Sequence, residues 1–146
     1  MKIKVQDLTK LQLNWAVATS EGHPKAIDIV GLNEPVVMCG FKQKMLHSNR
    51  ERQKMLHSNR ERQEWIAYQP SSNWTQGGPI IERERIELKI PEAKEFGQWI
   101  ALITDASGDY IHRSGPTPLI AAMRCFVENR LGSEVEIPDI LCNSYI

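Results

Sequence analysis

The sequence predicts one α+β domain spanning 1–146, a single-domain sandwich in which a mainly antiparallel sheet carries two principal helices. Three observations predict it. Short alternating or wholly apolar runs, bounded by Pro and Gly, recur at 36–39, 86–90, 99–104 and 110–113, which is strand patterning. Two stretches, 8–21 and 117–131, place apolar residues at helical spacing between start and stop signals. The chain has 146 residues, 41% apolar and 25% charged, an ordinary balance for one globular domain.

Residues 2–5 alternate Lys-Ile-Lys-Val, a half-buried strand. Asp7 or Thr9 caps the helix that follows, with Leu8, Leu11, Trp15 and Ala18 on its inner face and Gly22 at its end. Gln12 interrupts that stripe. Residues 23–34 give a weak signal, and His23-Pro24 disfavours more helix. Val36–Cys39 reads as a buried strand between Pro35 and Gly40. Trp65–Tyr68 reads as another strand.

Ile86–Ile90 alternates cleanly and stops at Pro91. Trp99–Thr104 is apolar on both faces and belongs at the centre of the sheet. Asp105–Asp109 turns the chain back into Tyr110–Arg113, the clearest hairpin in the sequence. Thr117 caps the second helix and Pro118 fits its first turn. Leu119, Ile120, Met123, Phe126, Val127 and Leu131 form its buried stripe, and Gly132 ends it. Val135–Ile137 adds an edge strand, and 139–146 is expected to be a loosely attached tail.

The decapeptide Lys-Met-Leu-His-Ser-Asn-Arg-Glu-Arg-Gln at 44–53 recurs unchanged at 54–63. Two units do not make a solenoid. Ten residues turn a helix through about 1000°, so equivalent side chains fall about 80° out of phase and no single helical face is preserved. The duplication is therefore expected to be an exposed insertion. One copy contributes a net charge of +2, so the basic run at 42–62 is partly a product of the copying, and a solvated charged face is favoured over a nucleic-acid contact.

Lys plus Arg and Asp plus Glu number 18 each, so no global field points to nucleic acid or anionic lipid. No apolar run approaches the about 20 residues of a membrane span, and the N-terminus lacks the apolar core of a signal peptide. A cytoplasmic setting is expected. Cys39, Cys125 and Cys142 are widely spaced and odd in number, which argues for free thiols rather than a disulfide framework or a zinc site. Asp105-x-Ser107-x-Asp109 starts like a calcium loop, but Tyr110 and Pro116 stand where glycine and glutamate are required. No metal and no cofactor is expected.

The most informative run is Tyr68–Ile90. It reads as a loop carrying Trp74, a Gly77-Gly78-Pro79 turn, a short helix opening at Pro79, and a strand. Such a turn can present main-chain amides to an anion. Trp74 can stack on a ligand, and Arg83 or Arg85 can pair with its charge. The structural alternative is a turn clamped by Trp74 packing on Ile80 or Ile81. No nucleotide fingerprint is present.

Pro70–Glu84 and Gly115–Cys125, followed by Leu131–Pro138, are family-specific. Together with the opening Lys2–Gly22, they resemble the NinX-like proteins of lambdoid phages and prophages. The resemblance covers most of the chain outside about 23–64. It implies a phage α/β/α sandwich domain without a settled activity, at work in the cytoplasm of an infected or lysogenic bacterium. In that family the loop commonly reads Pro-Ser-Thr-Asp-Trp. Here Ser72-Asn73 replaces Thr-Asp, and an acidic residue is lost.

Two functional expectations follow. The first is a non-enzymatic phage accessory module that binds a host protein or a small anionic ligand through Asn73, Trp74, Gln76, Gly77, Gly78 and Arg83. The second is a small enzyme with His112 or Glu84 as acid/base and the glycine turn as an oxyanion holder. It requires His112 to approach the 73–84 segment. DNA binding through 42–62 is a third alternative.

Overall fold

The computed structural model of the chain describes residues 1–30, 34–42, 63–90 and 97–142. Its elements, in order, are β1 (Lys2–Lys4), a 3-10 turn (Val5–Asp7), α1 (Lys10–Glu21), β2 (Lys25–Val30), β3 (Glu34–Lys42) and β4 (Gln63–Ala67). Then come α2 (Trp74–Glu84), β5 (Glu87–Lys89), β6 (Trp99–Thr104), β7 (Tyr110–Gly115), α3 (Pro118–Leu131), β8 (Glu134–Glu136) and a 3-10 turn (Asp139–Leu141).

The fold is α+β, and every ladder is antiparallel. The strands form three sheets rather than one: β1-β8, β2-β3-β4 and β5-β6-β7. The division follows from α3. Its side chains Leu119–Met123 and Cys125–Val127 are buried nearly all round, so one sheet cannot cover it. The β5–β7 sheet covers one side, and α1 and α2 cover others; α1 in turn packs on β2 and β3. Gly115 at the end of β7 lets that strand lie close against α3. A Cβ there would lie 2.8 Å from the Ala121 amide nitrogen and 2.9 Å from an Ile120 methyl.

The α1 stripe differs from the expected one. Thr9 is the cap, and Gly22 closes the helix with φ +72. The buried positions are Gln12, Leu13, Asn14, Ala16, Val17 and Ala18, while Leu11 and Trp15 are half-buried. Both flanks are covered, so polar side chains go inside and are satisfied there. Gln12 completes a capping box with Thr9 and donates to the Leu141 carbonyl at 3.0 Å. Asn14 accepts the Ser71 amide at 3.1 Å.

The weak 23–34 stretch contains a six-residue strand, β2, which β3 specifies by pairing Lys25–Val30 with Glu34–Cys39. The tail is docked rather than loose as far as Cys142: Ile137 and Leu141 are buried. Leu131, placed in the inner stripe of α3 by spacing, is exposed at the end of that helix. The hairpin 99–115 forms with β6 central, and Asp105 organises its turn by accepting from the Ser107 amide and hydroxyl and the Asp109 amide. The duplicated segment lies outside the described residues, apart from Gln63, which opens β4. Its two ends are neighbours, since Lys42 pairs with Gln63.

Candidate functional site

The segment after β4 is pinned by its backbone before it becomes helix. The Tyr68 amide donates to the Val37 carbonyl at 2.8 Å, and the Ser72 and Asn73 amides both donate to the Gln69 carbonyl. Asn73 is extended, with φ −113, and its Oδ1 accepts the Thr75 amide at 2.9 Å. It is the N-cap of α2. The helix thus starts at Trp74, a turn earlier than Pro79.

Gly77, Gly78 and Pro79 are therefore inside a helix and not in a turn, and neither glycine has positive φ. Asparagine outcompetes the Gly-Gly-Pro signal because it supplies an acceptor to the first free amides. The Asn73-x-x-Gln76 spacing was the available clue. Gly77 is required for another reason: its Cβ would stand 2.4 Å from the Pro70 carbonyl oxygen and 2.7 Å from Leu119 Cδ2. Gly78 has room, with only Trp74 Cε3 at 3.9 Å.

The six candidate residues divide. Gln76 bridges the edge of β4: its Nε2 donates to the Ala67 carbonyl at 2.8 Å and its Oε1 accepts the Gln69 amide at 2.6 Å. The Gly77 amide donates to the Asn73 carbonyl at 2.8 Å. Arg83 is paired with Glu21 through Nη1 at 3.0 Å and through Nη2, and with Glu84 through Nε at 3.0 Å. Nine residues turn a helix by about 900°, which puts Arg83 on the opposite side of α2 from Trp74. Trp74 stays in solvent, 55% exposed, on the same flank as Gly78. It is not sealed under the isoleucines.

Apolar side chains are also exposed on β4, which Gln76 ties to α2 and which is the outer strand of its sheet among the described residues. Trp65 is 45% and Ile66 37% exposed. In register, Ala26, Met38 and Ala67 form a row on the sheet face turned from the core, and Trp65 pairs with Gly40 on that same face. Val37 and Cys39 point inward and are buried.

His112 does not approach α2. It is exposed and pairs with Leu102, while its neighbours Ile111 and Arg113 pair with the buried Ile103 and Ala101 on the face toward α3. Glu84 accepts from both Arg83 and Arg130, the latter at 2.7 Å. Burial would raise its pKa, but those hydrogen bonds prevail and hold it below the ordinary glutamate range.

The structure assembles a cluster that sequence spacing did not reveal. His23 lies between Phe41 and Tyr68, with ring centroids at 4.7 and 5.4 Å, and its Nε2 is 3.9 Å from the Glu21 carboxylate that also holds Arg83. Burial lowers the His23 pKa, the Arg83 charge adds to this, and Glu21 opposes it. Burial also raises the Tyr68 phenol and pushes the Cys39 thiol up to about 11 and that of Cys125 up to about 12. All three cysteines are free. Among the described residues no group of three or more His, Cys, Asp or Glu converges to hold a metal ion, and no helix is long and apolar enough to cross a membrane.

A family model described as Bacteriophage P22, NinX matches residues 4–130. A comparison with curated proteins finds no match.

Proposed function

The chain belongs to the Bacteriophage P22 NinX family, and from that premise we propose that it is a non-enzymatic phage accessory module that docks a host protein. The exposed indole of Trp74 carries this reading. More than half of this large aromatic lies in solvent at the start of a helix, and tryptophan is enriched among protein–protein hot spots. Trp65 on β4 is a second exposed indole, and exposed aromatic surface of this kind suits a protein partner. A small anionic ligand is the weaker reading, because Arg83 and the Gly77 amide already have internal partners. The setting proposed is the cytoplasm of the bacterial host.

Trp74→Ala and Trp65→Ala should each change folding stability by less than about 0.5 kcal/mol. Each should weaken the host complex by about 2 kcal/mol, roughly 30-fold in Kd. The complex would be isolated from host extract with the unaltered chain and its affinity measured by calorimetry. Tyr110→Ala, which removes a still more exposed aromatic (69%) from the β5–β7 sheet, is the control. Unchanged affinity in Trp74→Ala defeats the proposal. A nucleotide panel that yields binding lost in Arg83→Gln would establish the anion reading in its place.

A further inference from the structure

We propose that α2 is a strap that lifts from α3 as a unit, released by charge screening, while the rest of the fold stays closed.

The helix is weak in itself. Gly77, Gly78 and Pro79 occupy its interior. Glycine gives up more chain freedom than alanine on becoming helical, and Pro79 brings no amide to the Thr75 carbonyl. Tertiary contacts must therefore hold it, and its apolar hold is small. Only Gly77 and Ile80 are buried on α2, with Ile81 partly so, against eight buried residues on α3. Arg85, which ends the helix, is left-handed at φ 53, a conformation that non-glycine residues rarely take.

Its polar hold is concentrated at the two ends. The Gln76 amide fastens the first turn to β4. At the last turn a ladder of alternating charge runs Glu21, Arg83, Glu84, Arg130, and so connects α1, α2 and α3. Arg83 and Arg130 both lie over the Phe126 ring, with guanidinium carbons 5.8 and 5.4 Å from its centroid. Gly77 sits on Leu119 and Arg83 on Phe126, so α2 follows α3 in the same direction. Lifting it would uncover Leu119 and Phe126, which are buried in the closed form. Both guanidinium side chains are about half exposed (50% and 46%), so dissolved salt reaches the ladder.

Native-state hydrogen exchange on the full chain, at about 0.02 M and about 0.5 M salt, tests this. The α2 amides should exchange together and faster than those of α1 and α3, and salt should speed α2 alone by several-fold. Gly78→Ala has room for its methyl and should slow α2 exchange about fivefold without altering α1 or α3. Gly77→Ala collides with Pro70 and Leu119 and should speed it. Arg83→Gln should also speed α2 and weaken its salt response, leaving the part carried by the Glu84–Arg130 pair. Unchanged α1 and α3 protection certifies that each variant is folded. If α2 exchanges at the same free energy as α1 and α3 in both salts, or if Gly78→Ala slows all three alike, α2 is part of the global unit and there is no strap.

Discussion

Gln12 is 6% exposed, and both ends of its amide are engaged. Its Oε1 accepts the Thr9 amide at 3.1 Å, and its Nε2 donates to Leu141, far along the chain. Gln12→Ala should cost about 1–3 kcal/mol, because it removes half a capping box and leaves a carbonyl without its donor. Urea unfolding would show this as a lower midpoint at unchanged slope. Apolar periodicity cannot find such a residue, since a polar side chain inside a helix face reads as an interruption. The Thr9-x-x-Gln12 spacing does find it.

His23 supplies the pH dependence at this scale. Its folded pKa is depressed below 6.5, so the folded state binds fewer protons than the unfolded chain at mildly acid pH. The contribution is fully present above 6.5 and is lost as pH falls through the folded pKa. Thermal melts of His23→Gln should show a flatter loss of melting temperature just below pH 6.5 than the unaltered protein. Glu84 is likewise depressed, from 4.5, and its contribution disappears at lower pH, which separates the two windows.

Among the elements, β3 and β4 are the most informative. Because Lys42 and Gln63 pair, the connection 43–62 leaves and rejoins the sheet at adjacent points. Deleting residues 44–53 removes ten of those twenty intervening residues and restores the same glutamine at the start of β4. Halving such a connection is expected to stabilise the fold by about 0.6 kcal/mol through closure entropy. Denaturant titration should give that small gain, and amide protection in β3 and β4 should persist. A loss of several kcal/mol would show that the second copy packs. The strands β3, β6 and β7 were legible because their apolar runs end at Pro, Gly or Asp. β2 was not, because its polar residues make sense only beside β3. The start of α2 is hard to place from sequence because Gly-Gly-Pro is a strong local breaker, and the Asn73 cap together with the tertiary hold on Gln76 and Gly77 outweighs it.

For the whole molecule, composition and periodicity together sufficed for α+β. Division into three sheets was hidden, because strand partners are chosen across the chain and not within it. The candidate site was partly legible: Trp74 could be picked out as an aromatic with no apolar neighbours in sequence. The Glu21–His23–Tyr68–Arg83 cluster could not, since its members come from three separate segments.

The pairing of β1 with β8 has to wait for synthesis. Lys2–Lys4 finds its partner only when Glu134–Glu136 has been made. At about 5–20 residues per second, that interval is on the order of ten seconds. Throughout it Ile3 and Val5 have no strand to shelter them, and the Gln12 amide has no carbonyl to meet. The nascent chain therefore carries an unfinished edge until residues 134–136 emerge, and chaperones on the ribosome would meet it there.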